Sequence, residues 1–325
     1  MNKVILITGP TASGKTNLSL ELSKLAHKLE ATCEIVNFDS IAMYRELNIG
    51  AAKPSREERQ QVPHHLIDCA SIFDPINAAD FVLNAKKLIQ ELHKKNIIPI
   101  LVGGSPFYVR ALIKGMYLAK EAPEAADAIK QELKIKYETS GIEYFSNFLQ
   151  KNDLESYQHL HPNDHYRIMR AVEHFQITGT PISLERKRKE AQDPYDFRKN
   201  TENDWHILHL HLDMPKEDHF KYITNRTKKM LAQGLVKEVE DLLKNGAAGT
   251  ERPLASVGYK ETLGLLRGEL KDDQELENKI NIATRQLAKA QRTYFKKFHD
   301  KHLLNPHQPD LFTRLTELLK HFVQT

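Results

Sequence analysis

The sequence has only two cysteines, Cys33 and Cys69, and they form no Cys-x-x-Cys pair. This excludes a disulfide framework and predicts a reducing, cytoplasmic setting. Long apolar runs are also missing. None reaches the roughly 18 residues that a membrane-spanning helix requires, so we expect no membrane association. The N-terminus enters a strand pattern directly, and we expect no signal or transit peptide.

Strong charge and a metal-binding cluster are absent too. The net charge of +4 is only mildly basic and is weak evidence for a polyanionic partner. The 16 histidines are scattered along the chain. His159, His161 and His165 are the densest group, but Pro162 interrupts them and no cysteine lies nearby. We therefore interpret them as solvated or phosphate-facing rather than as metal ligands.

Residues 9–16 read GPTASGKT, which is the pattern G-x-x-x-x-G-K-[ST] of a phosphate-binding loop. An apolar run precedes the loop and a helical pattern follows it, as this chemistry requires. The glycines let backbone N–H groups turn toward phosphate oxygens, Lys15 adds a cation, and Thr16 adds a hydroxyl suited to Mg²⁺. We predict a di- or triphosphate site made by Gly9, Pro10, Thr11, Ala12, Ser13, Gly14, Lys15 and Thr16.

Strands and helices alternate in the first third of the chain. Buried strands are predicted at 3–8, 34–38 and 97–102, and residues with helical spacing separate them. This order indicates a parallel sheet with helices on both faces. An alternating pattern at 205–212 predicts one more strand, which we interpret as half-buried.

Strand patterns stop between 116 and 194. Short amphipathic helices are predicted there instead, at 124–138, 142–151, 162–178 and 182–191. We therefore predict an α/β fold in which a P-loop NTPase-like parallel-sheet core, 1–116 and 195–325, contains an all-helical insertion domain at 117–194.

Asp39 directly follows the second predicted strand. Because ligands of such sheets bind at the carboxyl ends of the strands, Asp39 and the phosphate-binding loop should share one crevice. A carboxylate there can act as a general base or bind Mg²⁺ through water, although capping of the next helix remains an alternative. The strand at 97–102 is followed by Gly103-Gly104-Ser105, without the acidic residue of a typical ATPase. This favours an enzyme that binds a diphosphate as a leaving group.

Two predicted helices carry basic stripes. Arg167, Arg170 and His174 share one face of 162–178, opposite an apolar face that includes Ile168 and Val172. In 272–298, we predict an apolar face of Ile280, Ala283, Leu287 and Phe298. A separate stripe there consists of Arg285, Lys289, Arg292 and Lys296. Such stripes suit a phosphate backbone, and a solvated helix face is the open alternative.

Motifs along nearly the whole chain resemble the tRNA dimethylallyltransferases, also called tRNA isopentenyltransferases. The segments that carry the resemblance are GPTASGKT at 9–16, DS at 39–40, IGAAKP at 49–54, VPHHLID at 62–68, HPND at 161–164, GYK at 258–260 and TRQLAK at 284–289. The resemblance implies transfer of a dimethylallyl group from dimethylallyl diphosphate to N6 of adenosine 37, in the anticodon stem-loop of tRNA.

The same resemblance implies roles for individual residues. The phosphate-binding loop, Mg²⁺ on Thr16, and Arg226 would hold the pyrophosphate leaving group, and Asp39 would accept the proton from N6. The enzyme is expected to act as a monomer. The residues expected to contact tRNA are Asp39, Ser40, Ile41, Ala42, Ser105, Lys130, Tyr166, Arg167, Arg170, Arg285, Lys289 and Arg292.

The chain departs from the family pattern mainly at positions expected to contact RNA. Ala42 and Tyr166 stand where the family usually has glutamine, Ser105 replaces threonine, and Lys130 replaces arginine. Three other functions therefore stay open. They are an adenylate isopentenyltransferase with a free nucleotide as acceptor, a small-molecule kinase, and an RNA-binding paralogue without catalysis.

Overall fold

The computed structural model describes residues 2–115, 123–190, 193–198 and 204–325. Contacts between residues divide the chain into two compact units. The first unit comprises Met1–Gly115 and Tyr195–Thr325, and the second is Met116–Pro194. The insertion expected at 117–194 begins one residue after the start of the second unit. No helix in the described ranges is both long and apolar enough to cross a bilayer.

The described part of the first unit holds one sheet whose strands are all parallel, in the order β3-β2-β4-β1-β5-β6. The strands are β1 Asn2–Thr8, β2 Thr32–Asn37, β3 His64–His65, β4 Ile97–Val102, β5 Trp205–Leu212 and β6 His302–Leu304. The four strands predicted from the sequence are therefore confirmed. Strands β3 and β6 were not predicted, because strands of two and three residues leave no apolar run to recognise.

Helices surround this sheet. They are α1 Lys15–Lys28, α2 Arg56–Gln61, α3 Ala78–Lys94, α4 Pro106–Lys114, α9 Lys216–Ala232, α10 Leu235–Lys244, α11 Tyr259–Leu266, α12 Asp273–Phe295 and α13 Leu311–Gln324, with a 3-10 turn at Arg252–Ala255. Ile5 and Ile7 of β1 pack in one apolar cluster with residues of α1 and α13. A second cluster joins α10, α11 and α12 to the chain around 41–51.

The interpretation of β5 as half-buried is wrong. His209 and His211 are only 3% and 4% exposed, because β5 lies between β1 and β6 and both of its faces are covered. Leu208, Leu210 and Leu212 pack in the cluster with α1 and α13. On the other face, the rings of His209 and His211 lie against Phe298 and Phe295, respectively.

The second unit consists of helices with their own core. They are α5 Pro123–Asn152, α6 Leu154–His159, α7 His165–Thr178 and α8 Ile182–Glu190. Gly141 interrupts α5 with φ 62° and ψ −168°, between the two helices expected there. The core comprises Leu133, Phe145, Leu149, Ile168, Ala171 and Val172.

Helix ends in the second unit differ from the predicted ones. The helix expected from 162 begins at His165, because the Asp164 carboxylate accepts a hydrogen bond from the Arg167 N–H and caps it there. The short α6 was missed, and it is capped in the same way by the buried Asp153. The expected end of the last helix at 191 lies outside the described residues.

The buried histidines of β5 predict a pH dependence of stability. The Thr8 hydroxyl is hydrogen-bonded to His209 Nε2 at 2.8 Å and to His211 Nδ1 at 2.9 Å. Burial, reinforced by the nearby Lys301, lowers the pKa of His211 from 6.5 to about 4 and lowers that of His209 well below 6.5. The unfolded state therefore binds more protons than the folded state between these values. Stability should be complete above about pH 6.5 and should decrease as the pH falls toward 4.

The measurement is urea unfolding at several pH values between 4.5 and 7.5. We expect each histidine to contribute a slope of up to about 1.4 kcal/mol per pH unit within this window. His211→Asn keeps a polar group beside Thr8 but does not titrate, so its slope should be smaller than that of the wild type. Equal slopes for the two proteins would contradict the prediction.

Candidate active site

The phosphate-binding loop connects the end of β1 to the start of α1. Gly9 has φ +153°, and a Cβ atom there would lie 2.5 Å from the Leu212 carbonyl oxygen, so only glycine fits beside β5. Gly14 has φ +88° and directly precedes α1. The backbone therefore enters the helix in a left-handed conformation that favours glycine. The N-terminal N–H groups of α1 give this end of the helix a positive potential that favours anions.

Lys15 folds back over its own loop. Its Nζ donates to the carbonyl oxygens of Gly9 at 3.0 Å and Pro10 at 2.7 Å. The pKa of Lys15 is lowered to about 7, mainly because burial desolvates the amine; the Asp39 carboxylate opposes this shift and the nearby Arg226 adds to it. The carbonyl oxygens of Gly9 and Pro10 thus serve as acceptors for the lysine, and the expected binding of diphosphate by these two residues stays a prediction.

Asp39 follows β2 and is held by short-range hydrogen bonds. Its N–H donates to Asn37 Oδ1 at 3.0 Å, and its Oδ1 accepts from the Ile41 N–H at 3.0 Å. The neighbouring Ser40 N–H donates to the Ser105 hydroxyl at 3.3 Å. Asp39, Ser40, Ile41 and Ser105, which were predicted from separate segments, therefore lie together at the carboxyl ends of β2 and β4.

Thr11 is the residue of the loop most tightly bound by the rest of the protein. Its hydroxyl accepts from Arg226 at 3.0 Å and its carbonyl accepts from His219 Nε2 at 2.7 Å. Its N–H donates to Gln291 Oε1 at 2.7 Å. Arg226 was predicted from the sequence, whereas His219 and Gln291 were not. A lone histidine or glutamine gives no signal in a sequence.

Two cavities meet at this site. The larger, about 330 Å³, is lined by the loop from Thr11 to Thr16 and by Asp39, Ala42 and Arg226, together with Tyr222 and His64, which the sequence did not indicate. The smaller, about 90 Å³, has a mostly apolar wall of Ile41, Ile223, Met230, Val257, Ile280 and Leu287. Thr11, Asp39, Ala51 and Arg226 line both cavities, so a carboxylate and a guanidinium lie at their common boundary.

The loop around 48–51, which contributes to both cavities, is held by Glu238 at the start of α10. The carboxylate accepts from the N–H groups of Asn48, Ile49 and Gly50 at 3.2, 2.8 and 3.3 Å. It also accepts from the hydroxyl of the fully buried Tyr259 at 2.6 Å. That hydroxyl accepts in turn from the Ala51 N–H at 3.2 Å. Burial and the adjacent Glu238 charge raise the pKa of Tyr259 above its usual value.

The basic stripe predicted on α12 is not a continuous row of solvent-facing cations. The Arg285 guanidinium lies 4.4 Å from the centre of the Phe220 ring, and Arg292 pairs with Asp213 at 2.8 Å. Lys289 and Lys296 are exposed.

The apolar face predicted for this helix was also partly wrong, since Leu287 is 39% exposed. The buried residues are instead Leu276, Ile280, Asn281, Thr284, Ala288, Gln291 and Phe295. Several of these buried residues are small or polar, and hydropathy alone does not identify them.

In the second unit, the predicted RNA-contact residues lie on α5 and α7. Tyr166 is 61% exposed, and the exposed Arg167 pairs with Asp164 at 2.8 Å. Arg170 pairs with Glu173, and Lys130 is exposed on α5. His174, which was expected on the basic face, is buried, so that face is smaller than predicted.

Comparison with known proteins gives consistent similarities. A model of the family described as IPP transferase matches residues 42–298. The chain is 39% identical over 295 residues to tRNA dimethylallyltransferase 1 of Trichlorobacter lovleyi, covering 90% of both chains. It is 36% identical over 323 residues to the tRNA dimethylallyltransferase of Crocosphaera subtropica, covering 97% of both.

A solved structure is similar as well. The crystal structure of tRNA delta(2)-isopentenylpyrophosphate transferase from Staphylococcus epidermidis superposes with a TM-score of 0.67 at 29% identity. The match covers 100% of this chain and 99% of that one.

The lowered pKa of Lys15 predicts how anion binding depends on pH. Since the protonated amine attracts phosphate, pyrophosphate should bind more weakly to the free protein as the pH rises through about 7. Bound anion stabilises the ammonium form, so binding above this pH should take up a proton. Calorimetry in buffers of different ionisation enthalpy measures that uptake. Lys15→Met is the control, because any proton taken up when this variant binds comes from pyrophosphate itself. Identical proton uptake by the wild type and Lys15→Met would contradict the prediction.

The contacts of Tyr259 predict a cost for removing its hydroxyl. Tyr259→Phe leaves the Ala51 N–H without its acceptor and removes one donor from Glu238, so the free energy of unfolding should fall by about 1–2 kcal/mol. Both variants are compared by urea unfolding. Tyr222→Phe is the control, because Tyr222 is 47% exposed. A loss at Tyr259 no larger than that at Tyr222 would show that the hydrogen bonds contribute nothing.

Proposed function

The chain belongs to the IPP transferase family, and on this premise we propose that it is a tRNA dimethylallyltransferase. The donor is dimethylallyl diphosphate, and the acceptor is N6 of adenosine 37 in the anticodon stem-loop. One observation carries the proposal: Asp39 and Arg226 line both cavities beside the phosphate-binding loop. A base and a cation therefore flank the boundary at which donor and acceptor can meet.

The reaction forms one bond and breaks another at the same carbon. The N6 nitrogen attacks C1 of the dimethylallyl group, and the C1–O bond breaks with its electron pair going to pyrophosphate. The Asp39 carboxylate accepts the proton that N6 loses. Two hydrogen bonds fix Asp39 in the cleft, which supports this role: its N–H donates to the Asn37 side-chain oxygen, and its carboxylate accepts from the Ile41 N–H.

Stabilisation of the leaving group is the second task of the site. Negative charge develops on pyrophosphate as the C1–O bond breaks, and cations held in a desolvated cleft stabilise it most effectively. Lys15 and Arg226 supply these charges. Burial lowers the pKa of the Arg226 guanidinium and Asp39 opposes the shift, but an arginine stays charged in proteins.

The residues present fit a Mg²⁺ ion. The Thr16 hydroxyl and the Asp39 carboxylate belong to the same cavity, and oxygen atoms are the ligands that Mg²⁺ prefers. Within the described residues, no three His, Cys, Asp or Glu side chains form a metal cluster. This suits an ion that takes most of its ligands from water and diphosphate. When bound, Mg²⁺ would neutralise charge on the leaving group.

The second unit supplies the features suited to RNA. Tyr166 offers an exposed ring on which a base can stack, and Arg167 and Lys130 offer exposed cations for phosphates. Because a base inside a helical stack cannot reach a cleft of this kind, adenosine 37 must leave its stack. The enzyme is proposed to act as a cytoplasmic monomer.

The test is transfer of labelled dimethylallyl diphosphate to tRNA, AMP or ATP, with analysis of prenylated adenosine. We expect label on tRNA at position 37. Asp39→Asn keeps the shape of the side chain but cannot accept the proton, so turnover should fall by about 10²- to 10⁴-fold. Pyrophosphate affinity should be retained, and the surface variant Asp241→Asn should have wild-type turnover.

Two of the alternative functions have their own outcome in this assay. Label on AMP or ATP but not on tRNA would identify a free-nucleotide prenyltransferase. Binding of tRNA without transfer to any acceptor would identify an RNA-binding paralogue. Undiminished turnover by Asp39→Asn would place the base elsewhere.

A further inference from the structure

Gln291 on α12 connects two loops of the site through one side-chain amide. Its Oε1 accepts from the Thr11 N–H at 2.7 Å, and its Nε2 donates to the Gly104 carbonyl oxygen at 2.7 Å. The residue is 7% exposed. A buried amide is costly unless it is hydrogen-bonded, and here both of its polar ends have a partner.

The two bonds also fix the orientation of the amide. Rotating it by half a turn would set the NH₂ group against the Thr11 N–H and the oxygen against the Gly104 carbonyl. Two attractive contacts would become two repulsive ones, so only one orientation is stable. A carboxylate, a methyl or a thioether at this position cannot make both bonds.

The loops that Gln291 connects belong to opposite sides of the proposed reaction. β1 and β4 are neighbours, with Ile7 beside Val102, so Thr11 and Gly104 leave the sheet from adjacent strands. Thr11 begins the wall that holds the diphosphate. A Cβ atom built on Gly104 would lie 3.5 Å from Asp39 Oδ2, so the Gly104 loop packs against the proposed base. The same Cβ would lie 2.8 Å from Gln291 Nε2, so a side chain at this position would displace the amide of Gln291.

We propose that Gln291 is a positioning residue that sets the distance between the diphosphate loop and the loop that supports Asp39. In this role Gln291 touches neither substrate. It acts by keeping the distance and orientation between the C1–O bond of the donor and the Asp39 carboxylate constant. The inference rests on the proposed prenyl transfer. Displacement of reacting groups by about 1 Å costs on the order of 100-fold in rate.

The test compares Gln291→Glu with Gln274→Glu, an exposed glutamine on the same helix. The carboxylate in Gln291→Glu still accepts from the Thr11 N–H but cannot donate to the Gly104 carbonyl, which it repels. We expect kcat for prenyl transfer to tRNA to fall about 100-fold, while the dissociation constant of pyrophosphate changes by less than about threefold. Gln274→Glu should match the wild type. Gln291→Met, which adds no charge and makes neither bond, should lose kcat in the same way.

The outcomes separate this inference from the proposed function. Wild-type protein that prenylates no tRNA would overturn the proposed function itself. Active wild type with an undiminished kcat in Gln291→Glu and Gln291→Met would overturn the positioning role alone. Parallel losses of Tm, pyrophosphate affinity and kcat in both variants would also overturn it, because they would show that Gln291 only supports the fold.

Discussion

The conformation of the phosphate-binding loop depends on the hydrogen bonds of Thr11. All three polar groups of this residue are bound by side chains of α9 and α12, which lie more than 200 residues further along the chain. The local sequence supplies glycines that permit the loop, but it does not select one loop geometry. The selection comes from His219, Arg226 and Gln291. The proposed diphosphate site is thus assembled by tertiary structure around a locally encoded turn.

Electrostatics gives the same site its preference for anions. Lys15 and Arg226 lie close to one carboxylate, Asp39, so the cleft has an excess of positive charge before any ligand binds. Their desolvation is unfavourable in the free protein, and an anion with several charged oxygens relieves it. The cost of burying these cations would therefore contribute to selectivity for the proposed diphosphate.

The sequence predicted the features that are encoded locally. The loop at 9–16, the four longer strands and the position of Asp39 after β2 each follow from a few adjacent residues, and parallel pairing then brings them to one edge of the sheet. Features that depend on contacts between residues far apart in the sequence were missed or predicted wrongly. The tertiary packing of the helices determines the burial of His209, the pairing of Arg292 with Asp213 and the roles of His219 and Gln291. Periodicity along one segment carries no such information.

The insertion of the second unit between β4 and β5 determines the order in which the protein can be completed during synthesis. β1 lies at the centre of the sheet, yet its partner β5 is about 200 residues away and is made only after the whole insertion. A nascent chain that has emerged as far as 194 can already close the core around Phe145 and Val172, whereas β1 still presents an unpaired edge. Such edges are prone to aggregation, and contacts of high sequence separation form slowly. The second unit is therefore complete on the ribosome before the first unit is.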